Sequence, residues 1–458
     1  MGKIKSEMKP TIYICIEIKN REYESQILLA ASAALRGYRV YLGTHAAIYT
    51  LIRRKNVRDG ILFDKSMQPR TRILWNRERV EYYCVLDAEL SPVLIENVAR
   101  KALPSRIYPN TEDLVDRFLV VGPVMDKVAR EYFGARANSI RMTGWPRIDI
   151  WTKHGSVIYK ADIEKIKERY GKYLLFASSF GNIRNPEYTK DLKNADQVQE
   201  TEMNAFESMM KQHLNFKKTI KILKEWDANR NIPPIVVRAH TSESITVWKK
   251  ELGRLRKTFI NNSGDITPWL LASEGLIHNG STAAVQAVFA DKPIFLIQES
   301  TNIFVLPMAL SVSKYLLDGE SDFSINDFSK VKVNSEYKPS LLESVIFNPQ
   351  SNSTSRVIDI LDELDTKKSN PHSRVRVILS HLNQKSCRRA LGLLRDEVTW
   401  KFGRTNMNSQ FHFIPGGLDG KKIKMVLKID AEFDRVQHKR MTINLWEFQT
   451  PPEIPAPI

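Results

Sequence analysis

A chain of 458 residues exceeds one ordinary hydrophobic core and implies two to three domains. Apolar residues make up 42%, and no run approaches the roughly 18 apolar residues of a membrane helix, so neither a membrane-spanning nor a disordered chain fits the composition. The formal net charge is +17, and residues 367–458 hold 17 Lys/Arg against 8 Asp/Glu, so about half of the excess falls in the last fifth of the chain.

That balance favours phosphate-bearing molecules, an anionic membrane face or another polyanion. The start, Met1 to Pro10, is basic and polar. The apolar run after it, Thr11 to Ile18, is short and broken by Glu17, which reads as a strand and not a signal peptide. The three cysteines, Cys15, Cys84 and Cys387, stand far apart with neither metal-ligand nor redox spacing. They read as free thiols of a reducing compartment, so a cytoplasmic location is expected and no metal site is.

Taken in chain order, the elements begin with a strand over Ile12–Ile18. A helix follows with Ile27, Leu28, Ala31, Ala34 and Leu35 at helical spacing, ended by Gly37, and then a strand over Arg39–Leu42. Strand, helix, glycine, strand is a βαβ unit, which implies a parallel sheet. Short apolar runs at Gly60–Phe63, Tyr82–Leu86 and Arg117–Gly122 read as further buried strands. Residues 151–170 are polar and suit a linker.

A second α/β unit opens with a strand over Tyr173–Ala177. After a polar loop (Ser178–Lys193) and a helix over Glu200–Trp226 come strands at Pro234–Arg238, Leu276–His278 and Pro293–Ile297, with a helix of small residues over Ser281–Ala290. Beyond residue 350 the pattern weakens. Val357–Leu364 suits a short amphipathic helix, Arg374–Leu394 is basic and helix-compatible, Phe411–Leu445 alternates in places like strands, and Thr450–Pro457 is a proline-rich tail. The expected domains are 11–155, 170–350 and a basic extension over 366–458.

Four stretches have the makings of chemistry. His278-Asn279-Gly280-Ser281-Thr282 joins an apolar strand to a helix, so free N–H groups and hydroxyls meet at the positive end of a helix, a ready phosphate site. A capped glycine turn is the plain alternative. Arg238, His240 and Ser242 follow a strand end, where ligands bind in open α/β sheets. A capped turn explains them equally. Thr143-Gly144-Trp145-Pro146-Arg147-Ile148-Asp149 fixes a turn at the end of the first domain, where Arg147 and Asp149 either pair or line a cleft. Glu17, Glu22 and Glu24 flank the first strand and its helix, Asp64 precedes Lys65-Ser66, and Asp87 and Glu89 follow Tyr82–Leu86. One or two of these carboxylates suit a general base. The chain contains no GxxxxGK[ST], no GxGxxG after the first strand, no HExxH and no Asp-x-Asp, which excludes P-loop, dinucleotide-dehydrogenase and metal-dependent GT-A chemistry.

In order along residues 11–300, the chain carries Ile16-Glu17-Ile18-Lys19-Asn20-Arg21-Glu22, Leu28-Leu29-Ala30, Asp64-Lys65-Ser66, Leu86-Asp87-Ala88-Glu89, the Thr143–Asp149 and Arg238–Glu243 stretches, Pro268-Trp269 and Ile277–Thr282. This set resembles the surface carbohydrate biosynthesis protein family, whose members are similar to GT-B glycosyltransferases such as capsule Kdo transferases. The resemblance implies two Rossmann-like domains facing a cleft. It implies a nucleotide-sugar donor as substrate, no cofactor and no metal, with Arg238, His240, Ser242, the 278–282 loop and Gln286 on the nucleotide. Glu17, Glu22 or Asp87 would face a glycan or lipid-linked acceptor, at a membrane-peripheral cytoplasmic site. A CMP-activated ulosonic acid is the donor by analogy, and a nucleic-acid partner is not expected. The family usually has Pro at positions 239 and 241 and Glu at 286, where this chain has Ala239, Thr241 and Gln286. Those departures leave open a non-catalytic binding protein docking on an anionic membrane or polyanion, and the two-domain architecture leaves open a UDP-sugar 2-epimerase, which shares it.

Overall fold

The computed structural model describes residues 9–17, 19–54, 59–87, 95–151, 155–180, 200–240, 243–297, 307–324, 326–349, 352–364, 418–442 and 444–450. They fall into two compact units. Unit 1 is drawn from 1–91, 96–150 and 345–458, and unit 2 from 92–95 and 151–344.

Unit 1 begins with six parallel strands: β1 (Thr11–Ile16), β2 (Arg39–Thr44), β3 (Ile61–Asp64), β4 (Tyr82–Leu86), β5 (Arg117–Val120) and β6 (Ile140–Met142). Ile12 to Ile16, Ile61 to Phe63 and Tyr83 to Leu86 are all buried, as strands covered on both faces must be. The Lys19–Leu35 helix buries Tyr23, Ile27, Leu28, Ala30, Ala31 and Ala34. Its alanines allow a close approach to the sheet. Gly37 ends it with φ +88°, a left-handed turn that costs glycine nothing. The spatial order is β2-β1-β3-β4-β5-β6, so the chain steps from β1 out to β2 and then back across β1 to β3.

Unit 2 repeats the device with β7 (Leu174–Ala177), β8 (Ile235–Arg238), β9 (Thr258–Ile260), β10 (Gly275–His278), β11 (Ile294–Ile297), β12 (Tyr315–Leu317) and β13 (Lys332–Val333). Their order is β13-β12-β11-β10-β7-β8-β9, parallel except at β13. Here the direction reverses between β7 and β10. Phe176, Phe180, Phe216 and Trp248 form the centre of the core, with the Phe216 and Trp248 rings edge to face at 5.0 Å. Both units are doubly wound α/β, as the sequence pattern implies.

The chain then rejoins unit 1. The Ser353–Asp362 helix is held at its start by Asp149, which accepts from Ser353 N–H (3.1 Å), Thr354 N–H (2.7 Å) and the Thr354 hydroxyl (2.7 Å). Further on, β14 (Gln437–Thr442) and β15 (Leu445–Gln449) form an antiparallel hairpin, and β15 pairs antiparallel with β2. The described part of the 366–458 stretch is therefore an edge of the first sheet and not a separable appendage. The Tyr41 hydroxyl donates to Glu447 at 3.1 Å, and Lys422 pairs with Glu24.

Three local expectations change. Gly420–Leu427 is a helix where strand-like alternation was expected, because Ile423, Val426 and Leu427 share one buried face and Asp419 caps its start by accepting from Lys421 N–H at 2.8 Å. Residues 151–170 hold the Gly155–Ile158 and Lys160–Tyr170 helices in place of a linker; the second buries only Ile166, which explains its polar composition. The helix of small residues is shorter than expected, Ala283–Phe289. The expected helix over Arg374–Leu394 and the proline-rich tail beyond Thr450 lie outside the described residues.

Asp149→Ala leaves the three donors at the start of the Ser353–Asp362 helix without their acceptor. Unit 1 should lose about 2–4 kcal/mol on that account, read as a lower urea midpoint by tryptophan fluorescence, with Asp149→Asn intermediate. An unchanged midpoint would contradict the cap.

Candidate functional site

In open α/β sheets, ligands bind beyond the carboxyl ends of the strands where strand order reverses. Each unit has one such point, and each gathers polar side chains there.

In unit 1 the point lies between β1 and β3. Glu17 follows β1, Glu22 sits in the first turn of the Lys19–Leu35 helix, and Lys65 follows β3. Lys65 Nζ is 2.7 Å from Glu17 Oε2 and 3.8 Å from Glu22 Oε2, and Glu22 Oε1 accepts from Glu17 N–H. A buried ammonium requires such partners. Of the three side chains, Glu17 is the most exposed at 18%, against 7% for Glu22 and 4% for Lys65. Next to them lies Asp64, fully buried. It accepts from the Tyr49 hydroxyl at 2.6 Å and from Lys65 N–H at 2.9 Å, and its Oδ1 is 2.7 Å from His45 Nε2. Burial pushes the His45 imidazole down, but the Asp64 charge and hydrogen bond, with Glu17 and Glu22, outweigh it and hold the pKa above its ordinary value. Burial, with Asp64 and Glu22, pushes the neighbouring Cys15 thiol well up.

Asp87 follows β4, one strand further out, and Arg106 clamps it with two bonds of 2.9 and 3.1 Å. A carboxylate held in a guanidinium fork on one side of the sheet is a structural pair more than a base. Asp149, expected at a cleft, is a buried helix cap. Arg147 lies over the Trp145 ring at 5.3 Å. Glu89 lies outside the described residues.

In unit 2 the point lies between β7 and β10, and the loops after β7, β8 and β10 are tied together there. Asn279 Oδ1 accepts from Ser179 N–H at 2.8 Å, and Ser178 Oγ accepts from His240 N–H at 3.0 Å. Beneath them Glu243, 8% exposed, accepts from the Ser178 hydroxyl (2.5 Å), Phe180 N–H (2.6 Å) and Trp248 Nε1–H (2.9 Å). Burial raises the Glu243 pKa, and these bonds partly offset that rise.

Arg238 does not reach outward. Its guanidinium donates to the carbonyls of Asn261 (3.1 Å), Ser263 (2.6 Å) and Gly264 (2.8 Å), and lies over Trp269 at 5.2 Å. Burial lowers its pKa to about 10, so it stays charged at neutral pH. Its donors hold the 261–264 loop. His278 is equally internal. Its Nδ1 accepts from Gly280 N–H at 3.0 Å, so the proton sits on Nε2 and points to Ser313 Oγ at 2.7 Å. Ser313 in turn donates to Ala309 O. His278 thus positions Gly280, whose φ of +115° needs glycine. Gln286 donates to Thr267 Oγ1 at 2.8 Å, tying the Ala283–Phe289 helix to its neighbour.

At this end of the sheet His240 and Thr282 are exposed, and Ser179 and Ser281 are half-buried. The Ser281 and Thr282 N–H groups have no hydrogen-bond partner among the described residues. Asn279 Nδ2 is buried without a hydrogen-bond partner. Ser242 lies outside the described residues. From sequence, Cys15 reads only as a free thiol and Glu243 only as part of the Arg238–Glu243 stretch, while His45 and Tyr49 are not singled out. His45 alone carried a local signal, a histidine directly after a strand.

Burial without a charged partner lowers the His278 pKa from 6.5 to about 3. Its neutral form is favoured only in the fold, so its contribution is complete above 6.5 and is lost as pH falls from there toward 3, at about 1.4 kcal/mol per pH unit. His278→Asn should flatten the acid limb of unit 2 unfolding relative to wild type, and the wild-type ring resonances should not titrate near neutral pH. A ring that titrates near 6.5 would refute the buried, neutral assignment.

Compared with known proteins, the chain matches no family model and no curated protein. Among solved structures similar to it, the wall teichoic acid polymerase TagF (H548A) is 11% identical with a TM-score of 0.42, over 78% of this chain and 90% of that one. The UDP-GlcNAc 2-epimerase from Neisseria meningitidis, bound to UDP-GlcNAc, is 12% identical with a TM-score of 0.42, over 77% and 99%. Anabaena Alr3699/HepE in complex with UDP-glucose is 9% identical with a TM-score of 0.40, over 78% and 100%.

Proposed function

We propose that the chain is a glycosyltransferase that moves a sugar from a nucleotide donor to a hydroxyl of a glycan or lipid-linked acceptor. Unit 2 would take the donor's phosphate and unit 1 the acceptor. The observation that carries the reading is that the Ser281 and Thr282 N–H groups, without a hydrogen-bond partner among the described residues, stand with the exposed His240 where strand order reverses in unit 2. Phosphate needs that chemistry: several short-range donors on a fixed backbone, with a nearby positive field from Arg238. The ordered motif set supports the same class.

In this reading Glu17 takes the proton from the acceptor hydroxyl. It is the most exposed of the three expected carboxylates, while Asp87 is clamped by Arg106 and Glu22 accepts from Glu17 N–H. The acceptor oxygen bonds to the anomeric carbon as the anomeric C–O bond to phosphate breaks. The electron pair leaves on the phosphate oxygen, where Ser281, Thr282 and His240 stabilise it without a metal at that position. A CMP-activated ulosonic acid as donor rests on the family resemblance alone. The basic balance of the chain suits such a donor and an acceptor on an anionic, cytoplasmic membrane face. Among the described residues no helix is long and apolar enough to cross a membrane.

Calorimetry with CMP-, UDP- and GDP-sugars tests the donor half, and one of them should bind. Ser281→Ala with Thr282→Ala should weaken that binding about 10-fold, at roughly 0.5–1.5 kcal/mol for each hydrogen bond lost. Glu17→Gln should lower transfer by about 10²–10⁴-fold and leave the nucleotide Kd unchanged. No binding of any nucleotide sugar, a Kd indifferent to the Ser281→Ala/Thr282→Ala pair, or transfer indifferent to Glu17→Gln would sink the proposal. Conversion of a UDP-sugar without acceptor would make the chain an epimerase instead.

A further inference from the structure

We infer that unit 1 carries a site for a divalent transition-metal ion of the zinc class, formed by Cys15 Sγ, His45 Nε2 and a carboxylate oxygen of Asp64. The ligand atoms of these three residues all lie within 4.8 Å of one another. Cys15 and Asp64 come from adjacent strands and His45 opens the helix after the strand on the other side of β1, so strand order brings them together. Cys15 pairs across from Gly43 on β2, His45 follows the end of β2, and Asp64 ends β3 one residue beyond the Ile14–Phe63 pair. Cys15 is likewise one residue beyond Ile14 on β1.

One sulfur, one imidazole nitrogen and one carboxylate oxygen make a mixed set that suits zinc or cobalt better than magnesium or calcium, which prefer oxygen alone. Three protein ligands leave a fourth tetrahedral position. His45 keeps 18% of its side chain exposed while Asp64 is fully buried, so the open position lies on the His45 side. The outer shell is already in place. The Tyr49 hydroxyl donates to Asp64 Oδ2 at 2.6 Å and the Lys65 N–H to Oδ1 at 2.9 Å, which orients the carboxylate as ligating carboxylates are oriented. Asp64, Glu17 and Glu22 against Lys65 leave the surroundings negative, which favours a cation.

In the metal-free chain Asp64 and His45 share a hydrogen bond of 2.7 Å. Metal uptake replaces it. The metal bonds to the imidazole nitrogen, the carboxylate and the sulfur, and the Cys15 proton and any proton held between His45 and Asp64 go to solvent. Nothing in the sequence announced the site, since its members are far apart in the chain and none has the local spacing of a metal motif. It shares no residue with the groups proposed to bind phosphate in unit 2, so the failure of either proposal leaves the other distinguishable.

The experiment uses the full chain stripped with a chelator and titrated with Co2+ and Zn2+. One Co2+ per chain should bind, with a near-ultraviolet thiolate-to-cobalt band and the visible bands of a tetrahedral ion. Zn2+ should displace it and raise the Tm. Cys15→Ser should abolish the thiolate band, and His45→Gln, at a partly exposed position where the amide still reaches Asp64, should weaken Zn2+ by at least 10-fold. His45→Gln that melts like the stripped wild type shows that the fold is intact. A chain that binds no Co2+, that binds it without the thiolate band, or whose Zn2+ affinity and Tm shift survive in both variants would overturn the site.

Discussion

One buried carboxylate sets the ligand-facing edge of unit 2. Glu243 accepts from a serine hydroxyl, a backbone amide and an indole N–H, which come from the loop after β7 and the helix after β8. Isolated in that core, the charge would be too costly to keep. With three donors it becomes the point at which two loops are locked to each other. Ser178 passes the constraint on by accepting from His240 N–H, and Asn279 extends it to β10 through Ser179. The hydroxyls and amides at the strand-order reversal are therefore presented by a rigid shell.

Unit 1 solves the same problem with charge pairs. Lys65 is held between Glu17 and Glu22, and Asp64 between Tyr49, His45 and the chain itself. These groups stand where β1 and β3 part company, the counterpart of β7 and β10. In both sheets the strand entered first is central, and its carboxyl end collects the chemistry. The C-terminal hairpin completes the architecture from a distance, by covering the β2 edge that an open parallel sheet would leave unpaired.

Much of this was legible in the chain. Strands such as Thr11–Ile16 and Ile235–Arg238 are apolar on both faces and bounded by polar or turn residues, and period alone locates them within about two residues. Sites at strand ends followed from that. What sequence could not resolve was direction. Arg238 and His278 stand at strand ends where ligands bind in open α/β sheets, yet their polar atoms turn inward, to the 261–264 carbonyls and to Ser313 and Gly280. An inward and an outward arginine have the same local sequence. Likewise Cys15, His45 and Asp64 meet only because β2, β1 and β3 are neighbours, a fact of strand order. The Gly420–Leu427 helix was misread because a short window of alternating Lys and apolar residues satisfies both periods.

The central claim is that the strand-order reversal in unit 2 holds a nucleotide's phosphate. Amide hydrogen exchange with and without a saturating nucleoside diphosphate tests it directly. Slowed exchange is expected at Ser179, His240 and Ser281–Ala283, with the edge strand β13 and its neighbour β12 unchanged. Protection that appears only in unit 1, or none at Ser281 and Thr282 while nucleotide is demonstrably bound, would contradict it.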